Sequence, residues 1–224
     1  MQYLPLIWLC LELIILFFIV RLNLKEIFAF LRRFITNDKL SFAIISVLFF
    51  PGTVLHEMAH FFAATALMLR VKEIKIFPKL EDHYIKLGEV SYEKKDSARS
   101  ILVGIAPILA GLWLFWAFAS FKLFPSANLI VDIIIGYLIF VVSSTMFSSK
   151  KDLIDLIYII PLSIIVLGIL YVFNLRLDLL LAKTGAIDNF LRIISDIDFF
   201  MLFSLLINII IMVMLKVGNL LLQR

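Results

Sequence analysis

One cysteine, three histidines and little charge are all the reactive chemistry that this chain of 224 residues carries. Cys10 stands alone, so no intrachain disulfide can form and no cysteine-based zinc site can be built. Only 17% of residues are charged against 63% hydrophobic, and the mean hydropathy of +1.07 excludes an ordinary soluble domain. The net charge of +4 is modest, with lysines and arginines falling largely between apolar runs. That pattern suits anchoring at a bilayer surface and suggests no nucleic-acid partner. The start, Met1-Gln2-Tyr3-Leu4-Pro5, lacks a basic leader, and no small-x-small cleavage site follows. The first apolar run therefore reads as a retained membrane helix rather than a signal peptide. Internal repeats and low-complexity tracts are lacking too.

What the chain has in quantity is apolar runs of about the 20 residues that cross a bilayer. They fall at 3–20, 40–69, 99–121, 127–149, 153–173 and 198–221. The expected fold is an all-α polytopic membrane protein of about six transmembrane helices, forming one integral domain over 1–224. Pro51-Gly52 interrupts the second run, and a kink or a re-entrant first half is expected there. The stretch Arg21–Lys39 mixes Lys25, Glu26, Arg32 and Arg33 with Ile27, Phe28, Phe30, Leu31 and Phe34, and reads as an amphipathic interfacial helix. The stretch Asn174–Asp196 reads the same way. Residues 71–98 are the one sizeable polar region. Val71–Phe77 alternates in strand fashion, Tyr84–Tyr92 is a second candidate strand, and Pro78 with Glu81-Asp82-His83 separates them, so a small β-hairpin is expected.

Basic residues crowd the 70–99 gap (Arg70, Lys72, Lys75, Lys79, Lys86, Lys94, Lys95, Arg99), which places it on the cytoplasmic side. Lys150 and Lys151 then fall on that side as well. Counting backwards, however, puts the basic stretch Arg21–Lys39 outside. Either the first run does not span, or the second re-enters at Pro51-Gly52.

Inside the second run lies His56-Glu57-Met58-Ala59-His60. On a helix the two imidazoles sit about 40° apart on one face, able to grip one Zn²⁺, with the glutamate beside a bound water as general base. Ionisable groups are costly at membrane depth, so three together there indicate a functional site. The bland alternative is a trio of polar side chains bonded to neighbouring helices.

A catalytic zinc site takes three protein ligands and leaves a position open. Asp152 is the first candidate for the third and Asp155 the second. They lie three apart, on one helical face, after a break rich in serine (Ser143, Ser144, Ser148, Ser149). Both also read simply as solvated carboxylates balancing Lys150 and Lys151. His83 in the polar gap, and Asp132 and Glu12 in apolar runs, are lesser candidates.

Three stretches resemble the site-2 protease family of intramembrane zinc metalloproteases, especially its small bacterial and archaeal members. They are Phe50–His60, then Leu87-Gly88-Glu89-Val90 with Gly104-Ile105-Ala106-Pro107-Ile108-Leu109-Ala110-Gly111, and finally Ser149-Lys150-Lys151-Asp152-Leu153-Ile154-Asp155. The likeness covers about residues 40–160, leaving 1–39 and 161–224 as peripheral helices. Better-known members hold the third ligand in a Leu-Asp-Gly or Asn-Pro-x-x-x-x-Asp-Gly setting, and this chain contains no Asp-Gly. The resemblance implies zinc-dependent hydrolysis of peptide bonds in transmembrane or membrane-proximal protein substrates. It makes His56, His60 and an aspartate the ligands, and Glu57 the base. The hairpin would pair with the substrate strand, and Gly104, Pro107 and Gly111 read more simply as packing and kink residues. A prokaryotic plasma membrane is the expected location. Two other readings stay open: a non-proteolytic zinc-binding, transport or scaffold protein of the same fold, and a His-Glu-x-x-His peptidase whose third ligand is Glu81, Glu89 or Glu93.

Overall fold

The computed structural model describes residues 4–76, 79–81, 84–86, 88–93, 96–147 and 185–221. Among them are five helices: α1 (Leu4–Phe34), α2 (Asp38–Ala66), α3 (Ser97–Ser120), α4 (Leu129–Thr145) and α5 (Ala186–Leu221). Four strands lie between α2 and α3: β1 (Val71–Lys75), β2 (Lys79–Glu81), β3 (Tyr84–Lys86) and β4 (Glu89–Tyr92). Helices α1, α2, α3 and α5 are long and apolar enough to cross a membrane. Helix α4 has 17 residues, a length of about 25 Å, somewhat under the ~30 Å hydrocarbon layer. The run at 153–173, the fifth of the six expected spans, lies outside the described residues.

Two sequence expectations are corrected. The amphipathic stretch after Arg21 is no separate interfacial helix. It is the second half of α1, which runs unbroken for 31 residues, about 46 Å. No glycine or proline falls between Arg21 and Phe34, so the change in polarity alone does not stop the helix. Likewise, the described part of the 174–196 stretch, from Ala186, forms the opening turns of α5. The chain instead turns at Ile35-Thr36-Asn37. There Asn37 caps α2, its side-chain oxygen accepting from the Lys39 amide at 3.0 Å, and Asp38 favours the positive end of the helix.

The second correction concerns Pro51-Gly52, where no re-entrant break occurs. Helix α2 continues through both as 29 residues with Pro51 inside. Gly52 instead serves packing. A Cβ there would stand 2.5 Å from Thr145 Oγ1 and 2.7 Å from the Val141 carbonyl oxygen, so α4 lies directly against α2 at this point. Gly111 of α3 makes the corresponding approach to the Met146 side chain at the end of α4.

The expected hairpin is present, in two tiers. Strands β1 and β4 pair antiparallel (Val71↔Tyr92, Lys75↔Glu89), with a register irregularity between Val71 and Glu73. Strands β2 and β3 form a second two-stranded antiparallel sheet (Lys79↔Lys86, Glu81↔Tyr84). Its base is pinned to the helices. Arg99 Nη1 donates to the Leu67 carbonyl at 3.2 Å, answering one of the open acceptors at the C-terminus of α2. Tyr92 Oη lies 3.3 Å from Ser100 Oγ.

The main core joins Leu9, Leu16 and Val20 of α1, Phe115 and Phe118 of α3, Ile135, Ile139 and Val142 of α4, and Ile197, Phe200, Met201 and Leu205 of α5. Polar side chains also bind helices together. Asn23 Nδ2 donates to both the backbone and side-chain oxygens of Asn208 at 2.9 Å, and Asn208 Nδ2 donates to Ser143 Oγ at 3.2 Å. Asn219 Nδ2 donates to the Glu26 carboxylate at 2.6 Å. Residue numbers rise together along α1 and α5 through these contacts, so the two helices run in the same sense.

Candidate metal centre

His56, Glu57 and His60 lie in the last three turns of α2 and are 4%, 4% and 7% exposed. The helical spacing places both rings on the face that meets α3 and α4. The ring centroids are 4.7 Å apart at an interplanar angle of 85°, and the two Nε2 atoms converge to 3.1 Å.

His60 Nδ1 is 2.8 Å from the Val103 carbonyl oxygen on α3. A carbonyl only accepts, so Nδ1 carries the hydrogen and donates, and the Nε2 lone pair is left facing His56. Metal-binding histidines are oriented this way, by giving the second ring N–H to a carbonyl or carboxylate. The donor set thus suits zinc. Two nitrogens in a tetrahedral shell at Zn–N of about 2.0–2.1 Å must be about 3.3 Å apart, within a few tenths of the observed 3.1 Å.

The walls come from three directions. Gly52 and Leu55 of α2, Pro107 of α3, and Val142, Thr145 and Met146 at the end of α4 line a narrow crevice with His56. Gly88, just ahead of β4, stands over Glu57, where a Cβ would approach both Cγ and Oε1 to 2.6 Å. The hairpin therefore reaches the proposed base directly.

Among the described residues no group of three His, Cys, Asp or Glu side chains gathers to hold a metal, and neither Glu89 nor Glu93 joins the histidine pair. Asp152, Asp155 and His83 lie outside the described residues, as does the side chain of Glu81. Asp132 has a local role: in the first turn of α4, its Oδ1 accepts from the Ser126 amide at 2.7 Å and closes the turn after α3. That is the far end of α4 from Met146. Glu12 is buried on the face of α1 that carries Leu9 and Leu16, with Asp198 of α5 as its charged neighbour.

No family model, curated protein or solved structure matches the chain. The functional reading therefore rests on the chemistry of the site.

No sequence signal singles out Val103, whose contribution is a backbone oxygen. Gly88 was visible only as part of a likeness, and its contact with Glu57 depends on how the hairpin folds back.

Proposed function

We propose that this protein is an intramembrane zinc metalloendopeptidase that cleaves transmembrane or membrane-proximal protein substrates, in keeping with its resemblance to the site-2 proteases. One observation carries the reading: two buried imidazole nitrogens converge at 3.1 Å, one ring already held by the Val103 carbonyl, on a helix apolar enough to cross a membrane.

His56 and His60 are the ligands supplied by α2, and Asp152 the proposed third, with Asp155 as the alternative. Helix α4 brings the chain to the site, since Thr145 and Met146 share the crevice with His56. From Met146, six residues lead to Asp152, a reach of up to about 20 Å in extended chain. When bound, zinc supplies a Lewis acid for the scissile carbonyl and lowers the pKa of water in its shell. Glu57 accepts a proton from the attacking water as its oxygen bonds to the carbonyl carbon. The same carboxyl then delivers that proton to the amine nitrogen as the C–N bond breaks. A transmembrane substrate must leave its helix to expose a peptide bond. Pairing with a strand edge of the hairpin holds it extended, and Gly88 puts that edge beside Glu57. The proposed location is a prokaryotic plasma membrane.

The test uses protein purified in detergent and a transmembrane peptide substrate. Wild type is expected to hold about one zinc per chain and to cleave; Glu57→Gln should keep the metal and lose cleavage. Normal turnover by Glu57→Gln would sink the mechanism. The second reading, a zinc-binding, transport or scaffold protein without peptidase activity, draws on the lack of any Asp-Gly in the sequence. It predicts metal binding with no cleavage by either form.

A further inference from the structure

Pro107 sits four residues after Val103 within α3. In an α-helix the carbonyl of residue 103 accepts from the amide N–H of residue 107, and proline has none. The Val103 oxygen therefore lacks its usual helical donor, in a position where Val103 itself is 0% exposed and water is not at hand. A buried carbonyl left unpaired is costly. The group that meets it is His60, whose Nδ1–H donates at 2.8 Å. Pro107 also lines the crevice beside His56, so one residue shapes the wall and releases the acceptor.

We infer that Pro107 is a positioning residue: by removing one N–H from α3 it reserves the Val103 carbonyl for His60 and so sets the tautomer and direction of that ring. This goes beyond packing or a kink, for which any residue that bends the helix would serve. Its consequence for metal rests on the zinc reading above; its consequence for the His60 tautomer does not.

Pro107→Ala restores an N–H at 107 that competes with His60 for the Val103 oxygen. A second variant carries the α-hydroxy acid counterpart of alanine at 107, introduced by nonsense suppression, so that an ester replaces the amide. It lacks both the N–H and the proline ring. Two quantities are measured on full-length protein in detergent: the His60 tautomer by ¹⁵N NMR of histidine-labelled, metal-free protein, and zinc affinity by competition with a chelating dye.

Wild type is expected to show His60 protonated at Nδ1. Pro107→Ala should show a mixture of tautomers and bind zinc about tenfold more weakly, the low end for loss of an outer-sphere partner. The ester variant should recover the wild-type tautomer and most of the affinity. An unchanged tautomer in Pro107→Ala overturns the inference. So does an ester variant as impaired as Pro107→Ala, because the ring would then be what matters. If wild type binds no zinc, the peptidase reading falls, and the tautomer measurement still decides this one.

Discussion

Gly88 lies against the carboxylate of Glu57, so closely that a single added methyl group would stand 2.6 Å from Oε1. The contact joins the hairpin, which is outside the helix bundle by sequence, to the group proposed to move protons.

Gly88→Ala is therefore expected to displace Glu57 or push the hairpin away from it. Cleavage should fall at least tenfold, about 1.4 kcal/mol of lost transition-state stabilisation. Zinc content should stay unchanged, because His56 and His60 are not touched. Parallel assays of metal content and turnover check this; a fully active Gly88→Ala would show that the hairpin does not bear on Glu57.

The third ligand can be assigned by comparing Asp152→Asn with Asp155→Asn. Loss of a direct ligand should weaken zinc binding beyond the ~100-fold upper end seen for outer-sphere partners. Asp152→Asn is expected to cross that line and Asp155→Asn to remain within tenfold. The reverse order would move the assignment to Asp155, and two mild effects would remove both aspartates from the site.

Gly52 and Gly136 form an internal control for packing. Replacing a helical glycine with alanine stabilises a helix by about 1 kcal/mol when nothing opposes it. At Gly136 nothing lies within 4 Å of the new Cβ, so Gly136→Ala should raise the melting temperature. At Gly52 the Cβ would meet Thr145 Oγ1 at 2.5 Å and the Val141 carbonyl at 2.7 Å. The overpacking cost of about 1–3 kcal/mol should win, and Gly52→Ala should melt lower. Thermal unfolding of both variants in the same detergent settles the sign.

Met68 ends α2 with φ of 55°, a left-handed conformation that side chains disfavour. The Leu69 amide donates to Ala64 O at 2.9 Å and the Met68 amide to Thr65 O at 3.0 Å, a Schellman closure in which glycine is the usual residue. Met68 is 82% exposed, so little packing would be lost. Met68→Gly should stabilise the protein by about 1 kcal/mol, read as a higher melting temperature with unchanged zinc content.

Much of the fold was legible because it depends on short-range periodicity. The spacing of His56 and His60 places both rings on one helical face whatever surrounds them. The alternation from Val71 onward likewise marked the hairpin that β1 and β4 form. A change in composition along the chain does not by itself mark a helix boundary. Charges after Arg21 suggested a separate helix, but with no breaker before Phe34 the backbone continued. At Pro51-Gly52 the expectation of a kink or a re-entrant half fails in its re-entrant form. One missing donor did not end α2, and Gly52 turned out to be the contact with α4.

By itself, then, the sequence determined a membrane-type composition, a helix presenting His56, Glu57 and His60, and a polar hairpin beyond it. Those follow from residue chemistry and the 3.6- and 2-residue repeats of the backbone. Only the tertiary structure decided that the Val103 oxygen holds His60 and that Gly88 covers Glu57. Each of those contacts joins elements whose approach is set by packing between segments about 30 to 45 residues apart, and no local pattern encodes that distance.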